Sequence, residues 1–164
     1  MNNLLISKNK KKIKITQNNN ILNITGPLGT LNYTLNKKNV LENGKLFFTQ
    51  SELNFFTNKI KTLFKSVSKG WFMELNLNGI GYKSFKLNDK IALDLGYSNL
   101  IVYKPTNLLK LKNLKNKLLL FSIDKEYLHN VGSYLRNFSY PDSYKGKGIL
   151  FKNEVLKLKK KAKT

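Results

Sequence analysis

Apolar and polar residues alternate with a period of two from Ile13 onward: Ile13 and Ile15 stand against Lys12, Lys14 and Thr16, and Leu22 and Ile24 against Asn23 and Thr25. Such a period puts every second side chain on one face, so the pattern predicts a half-buried hairpin with Gln17-Asn18-Asn19-Asn20 between its strands. Gly26-Pro27-Leu28-Gly29 has turn chemistry, and Leu31, Tyr33 and Leu35 continue as a third strand. After Asn43-Gly44, the run from Lys45 to Gln50 predicts another. The period then changes. Leu53, Phe56, Ile60, Leu63, Phe64 and Val67 recur at three and four residues, with Asn58, Lys59, Lys61 and Lys65 between them, which predicts an amphipathic helix. Ser51 is placed to cap its start and Gly70 to stop it.

The same order begins again at Trp71. Trp71, Met73, Leu75 and Leu77 alternate with Glu74, Asn76 and Asn78 before Gly79-Ile80-Gly81 interrupts the run. Tyr82 to Leu87 and Ile91 to Leu95 flank Asn88-Asp89-Lys90 as a hairpin. Leu100 to Tyr103 follows Gly96-Tyr97-Ser98-Asn99, and Lys117 to Ser122 is expected to be the last strand. Asp124 then caps a helix carrying Tyr127, Leu128, Val131, Leu135 and Phe138, which ends before Pro141. Strands followed by one helix occur twice. The expected architecture is α+β: two similar small domains, each an antiparallel sheet packed with one main helix. Residues 1–12 form a basic N-terminal arm, 13–69 and 70–140 the two domains, and 141–164 a basic C-terminal extension. Units this small bury a limited share of their surface, so packing on a partner stabilises them.

Charge narrows the partner. The 164 residues include 30 Lys+Arg against 9 Asp+Glu, for a formal charge of +21, and a fold so charged repels itself until a polyanion binds. Arg136 is the only arginine. Lysine binds phosphate as a mobile point charge, whereas arginine forks onto phosphate or guanine, so reading of base edges is disfavoured. The lysine, Asn, Ile and Tyr bias is what an AT-rich genome writes.

Other chemistries lack their residues. Without cysteine there is no disulfide framework, thiolate nucleophile or cysteine-based metal site. His129 is the only histidine and stands mid-helix with no neighbouring ligand type, and the acids are scattered outside any metal spacing. Gly79-Ile80-Gly81 precedes a strand rather than a helix, so it reads as a bulge or turn, not a dinucleotide fingerprint. No apolar run nears the roughly 18 residues that span a bilayer. The start, Met1 to Ile6, has neither a secretory core nor an arginine-rich import helix, so no targeting segment is expected. The chain is expected to be no enzyme, to take no cofactor, metal or small-molecule substrate, and to insert in no membrane.

Two basic segments remain. Lys8 to Lys14 is a basic run whose end already belongs to the first strand, so only the part before about residue 12 is free, and that part reads equally as a phosphate-contacting arm or a solvated tail. Ser143-Tyr144-Lys145-Gly146-Lys147-Gly148-Ile149 runs into the tail lysines Lys157 to Lys163. Its glycines allow main-chain amides and ammonium groups to approach a phosphate, and the plain alternative is a flexible C-terminus.

Ile24-Thr25-Gly26-Pro27-Leu28-Gly29-Thr30-Leu31, Leu77-Asn78-Gly79-Ile80-Gly81-Tyr82-Lys83, Leu95-Gly96-Tyr97-Ser98, Pro141 to Gly148 and Asn153-Glu154-Val155, in this order, resemble large-subunit ribosomal protein six, the universal L-six family. The resemblance covers the chain from about Ile13 onward. It implies two duplicated α/β domains, and binding to large-subunit rRNA near the sarcin-ricin loop and the factor-binding stalk base, beside neighbouring ribosomal proteins. Carried over by position, the rRNA-binding residues are Gly79, Gly81, Tyr82, Lys83, Gly96, Tyr97, Ser98, Tyr144, Lys145, Gly146, Lys147 and Gly148, with Lys157, Lys159, Lys160, Lys161 and Lys163 of the tail. The chain departs from the family at Asn99-Leu100, where His-Pro is usual, and at Ser139-Tyr140, where basic residues are common. Its first domain is also shortened between Gly44 and Ser51.

The expected function is that of a structural constituent of a large ribosomal subunit, in a mitochondrion or, alternatively, a plastid-type organelle or AT-rich bacterium. One rival is a free-standing binder of single-stranded nucleic acid with Tyr33, Phe47, Tyr82 and Tyr97 as stacking platforms. Another is a peripheral protein held on anionic lipid by its lysines.

Overall fold

A computed structural model of the chain describes residues 2–5, 13–18, 21–34, 41–42, 45–48 and 50–160. The chain divides into two compact units, Met1–Gly70 and Trp71–Thr164.

In the first unit, β1 (Asn2–Leu5) precedes β2 (Lys14–Asn18), β3 (Ile21–Gly26) and β4 (Gly29–Thr34), then β5 (Leu41–Glu42), β6 (Lys45–Phe48) and the helix α1 (Gln50–Lys69). Strands β2, β3 and β4 form an antiparallel meander in sequence order, and Ile15 to Ile24 and Ile24 to Leu31 are cross-strand pairs. The alternation therefore does its work: Leu22 and Ile24 are fully buried and meet Phe56, Ile60 and Val67 from α1. The helix starts at Gln50, so Ser51 lies inside it and is not its cap. Gly70 does stop it, at φ 72, with its N–H donating to the carbonyls of Lys65 and Ser66. The expected N-terminal arm needs correction, because β1 pairs antiparallel with β6. The rest of that arm, residues 6–12, and the Asn43-Gly44 turn lie outside the described residues.

The second unit holds β7 (Trp71–Asn78), β8 (Lys83–Leu87), β9 (Lys90–Asp94), β10 (Ile101–Tyr103), β11 (Leu109–Leu114), β12 (Lys117–Ser122), α2 (Lys125–Asn137) and β13 (Gly148–Phe151). One sheet is antiparallel in the order β11-β12-β7-β13, and β10-β9-β8 is a second meander. Leu75, Leu77, Leu118, Leu120 and Ile149 from the first sheet meet Ile91 and Leu93 from the meander, Leu95 just beyond it, and Leu128, Val131 and Leu135 of α2. Gly132 brings the helix close, since a Cβ there would lie 2.2 Å from the sulfur of Met73. Asp124 caps α2 through its side chain, which accepts the Glu126 N–H at 2.9 Å.

Two strands of the second unit go beyond those expected. β11 is an edge strand with Lys110, Lys112 and Leu114 outward, and β13 is a short strand inside the segment expected to be an extension. Lys117–Ser122 is thus not the last strand. Because Ile149 and Leu150 are buried and β13 pairs with β7, the extension supplies part of the core instead of trailing from it.

Candidate nucleic-acid interface

Three loops of the second unit come together around one aromatic ring. Tyr82, after the β7–β8 turn, is buried, and its hydroxyl is 3.1 Å from the hydroxyl of Ser139, which follows α2. Gly79 lies against that ring, where a Cβ would be 2.8 Å from it. The Lys147 ammonium sits 4.9 Å from the ring centre. Gly96, after β9, borders the same pair, since its Cβ would lie 3.4 Å from the Lys147 Nζ and 3.7 Å from the Tyr82 ring. Tyr82 is therefore the hub on which the loops meet, and its buried ring is no open stacking platform. The sequence signal for an aromatic beside glycines does not separate these roles.

The lysine tract is a built loop. The Asp142 carboxylate accepts the N–H groups of Tyr144 (3.0 Å) and Lys145 (3.1 Å), while the Asp142 N–H donates to the Lys147 carbonyl (2.8 Å). The Gly146 N–H donates to the Asp142 carbonyl at 2.9 Å. Three amides expected to face a phosphate are thus consumed inside the loop, and what remains outward is the ammonium groups of exposed Lys145 and Lys147. Asp followed two and three residues on by the amides it accepts is an Asx-type turn, legible in Asp142-Ser143-Tyr144. Gly148 is buried at φ 147, and a Cβ would lie 2.6 Å from the Pro141 Cα, a clash no small shift relieves.

The remaining positions are outward. Gly79, Gly81, Lys83, Gly96, Tyr97, Ser98 and Tyr144 are exposed, and Gly146 is half-buried. Tyr97 is fixed by its hydroxyl, which donates to the Phe138 carbonyl at 2.9 Å, and the Gly96 N–H donates to Asp94 Oδ1 at 3.3 Å. The tail folds back on the loop. Lys159 donates its N–H to the Ser143 carbonyl at 2.9 Å, and a Cβ at Gly146 would lie 3.4 Å from Leu158 Cδ2. Lys157, Lys159 and Lys160 are exposed beside it; Lys161 and Lys163 lie outside the described residues.

What aims the tail is the single arginine. Arg136 on α2 pairs with Glu154 and stacks its guanidinium 4.6 Å from the Tyr140 ring centre and 5.3 Å from that of Phe151. Glu154 also closes its own turn, accepting the Phe151 N–H at 3.2 Å. Composition marked Arg136 as unusual, but not as internal. Of the expected platforms, Tyr33 is half-buried with its edge on Phe56, and the Phe47 side chain lies outside the described residues. His129 is exposed and stacked 6.2 Å from Phe151, and no group of three metal-ligating acids or histidines occurs among the described residues. Nor, among those residues, is any helix long and apolar enough to cross a membrane.

No family model matches the chain. Among curated proteins it is similar to large ribosomal subunit protein uL6 of Hydrogenobaculum sp. (strain Y04AAS1), 35% identical over 157 residues that cover 90% of this chain and 87% of the relative. It is similar also to uL6 of Persephonella marina, 35% identical over 85% of this chain and 84% of the relative, and of Chlorobium limicola, 32% identical over 92% and 89%. With identity at this level across nearly the whole of both chains, the chain belongs to the large ribosomal subunit protein uL6 family.

Proposed function

We propose that the chain is a structural constituent of the large ribosomal subunit. It binds large-subunit rRNA near the sarcin-ricin loop and the factor-binding stalk base, beside neighbouring ribosomal proteins, and it catalyses no reaction. The observation that carries this reading is the loop cluster, in which Lys145, Lys147, Lys157, Lys159 and Lys160 are held on a folded frame by Asp142, Tyr82 and the return of the tail. Cations set in place lose less freedom on binding than those on a loose tail, so the frame raises affinity for folded RNA. With the loop amides occupied and arginine absent from the surface of the cluster, the contact is to phosphate and RNA shape rather than to base edges. Lys83 and the exposed Gly96-Tyr97-Ser98 turn border the RNA on the same reading, and Lys161 and Lys163 extend it.

The ribosome in question is mitochondrial on this proposal. Its support is the residue usage: one arginine among 30 basic residues is the product of strong AT pressure. The test joins both parts. Neutralising Lys145, Lys147, Lys157, Lys159 and Lys160 to Gln lowers the slope of log K against log salt for an rRNA fragment by roughly 0.7 to 0.9 for each phosphate no longer neutralised, and the variant falls off large subunits in a sucrose gradient. Cosedimentation of the tagged protein with mitochondrial large subunits is expected. A quintuple variant with the wild-type slope, or a protein that never tracks with large subunits, would falsify the reading.

A further inference from the structure

The loop cluster leaves unused the part of the four-stranded sheet around Phe72, on the face opposite α2; at the β13 edge of that same face Leu150 is buried. Helix α2 covers the side bearing Met73 and Phe151, so Phe72 and its cross-strand partners point the other way. Register sets Lys110 beside Phe121 and Phe121 beside Phe72 in one row, and Lys112, Leu119 and Glu74 in the next. Partners in a row share a face. The Phe72 and Phe121 rings are 4.7 Å apart, and Phe72 is 76% exposed. Scattered exposed apolar residues are ordinary, but here an exposed ring is braced by a second ring and flanked by lysines. The carboxylate in these rows, Glu74, is bound by both Lys117 and Lys152 at 2.9 Å, so with Lys110 and Lys112 four lysines stand against one acid and the face stays positive.

We infer that this sheet face is a second RNA-binding surface, taking one or two unpaired nucleotides whose base stacks on Phe72 while Lys110 and Lys112 neutralise the adjoining phosphates. A flat ring with its face to solvent accepts any base, and the neighbouring ammonium groups select a polyanion over an apolar ligand. Lysine is depleted where proteins bury contacts against each other, which favours RNA over a protein occupant. The surface shares no residue with the loop cluster, so either can fail without the other.

The test uses the full chain with two probes, decaadenylate and a closed RNA hairpin, read by fluorescence anisotropy. Phe72→Ala lowers affinity for decaadenylate about tenfold with its salt slope unchanged, because phenylalanine carries no charge, and leaves hairpin binding as it was. Phe72→Trp keeps the affinity; Phe72→Leu loses it as Ala does, having bulk but no π face. Lys110→Gln with Lys112→Gln lowers the decaadenylate slope by roughly 1.4, at about 0.7 for each lysine on a single strand. Phe72 is exposed, so these variants fold, and circular dichroism checks that they do. Wild-type decaadenylate affinity in Phe72→Ala overturns the inference. So does full retention in Phe72→Leu, which marks an apolar contact and hence a protein occupant.

Discussion

The guanidinium of Arg136 is paired with the carboxylate of Glu154, joining α2 to the chain just beyond β13. The pair is about three-quarters shielded from solvent and is flanked by the rings of Tyr140 and Phe151, so removing one partner leaves the other in a poor environment. Arg136→Ala is expected to destabilise the second unit by about 2 kcal/mol. Arg136→Lys recovers only part of this, since an ammonium neither lies flat between two rings nor forks onto a carboxylate. Urea unfolding followed by Trp71, the only tryptophan and a residue of β7, reads that unit alone. Equal midpoints for Lys and Arg at 136 would show that charge alone matters.

Asp142 offers a test whose sign separates structure from charge. Replacing it by Ala removes a negative charge next to Lys145 and Lys147, which by electrostatics alone strengthens RNA binding. It also frees the amides of Tyr144 and Lys145 and lets the loop sample other shapes. The expected result is a weaker complex, by roughly three- to tenfold, since ordering the loop again costs about 1 kcal/mol. Tighter binding in Asp142→Ala would mean that loop geometry is irrelevant.

Tyr82→Phe tests the hub. Losing the buried hydroxyl contact with Ser139 costs about 1 kcal/mol of stability. RNA affinity is expected to stay within about twofold, because the ring is buried and still supports Lys147. A large affinity loss at unchanged stability would put the tyrosine back at the surface.

How far the sequence discloses this molecule depends on what each pattern measures. The runs at Trp71 to Leu77 and Lys117 to Ser122, and the helix after Asp124, carry strong periodicity because one face of each is buried, and they fold as read. β11 carries the same alternation as the first hairpin, Leu109 and Leu111 against Lys110 and Lys112, so it is legible in the sequence even though, as an edge strand, it buries little. β13 hides behind the glycines and lysines that precede it. At the candidate interface the cluster of positions is legible, whereas the division of labour is not. Whether Tyr82 and Gly148 meet solvent or core, and whether Phe72 does, is decided by register and packing between distant segments, which local spacing does not encode.

Deletions should separate the lysine tail from the strand. Removing residues 157–164 takes lysines but, among the described residues, no element of the sheet, so unit stability is expected to change by no more than about 1 kcal/mol, the worth of the Lys159 to Ser143 hydrogen bond. RNA affinity should fall steeply with it. Removing 143–164 also deletes β13 and with it buried Ile149 and Leu150, so the second unit should lose its cooperative Trp71 transition altogether. Similar transitions in the two deletions would show β13 to be dispensable.

Acid should act on Glu74. Hydrogen bonding by Lys117 and then by Lys152 holds its carboxyl below the ordinary 4.5, outweighing the opposing effect of burial. A group whose folded pKa is lowered binds its proton more weakly in the folded state than in the unfolded one. Its contribution is therefore present above pH 4.5 and is lost as pH falls through the folded value. Glu74→Gln removes the charge at every pH. Near neutrality the variant should unfold at lower urea than the wild type, and the gap should close as the solution is taken well below pH 4.5. Urea is the denaturant of choice because guanidinium salt screens the ammonium groups whose effect is being measured. A gap that persists unchanged into strong acid would assign the effect of Glu74 to its shape in the sheet, not to its charge.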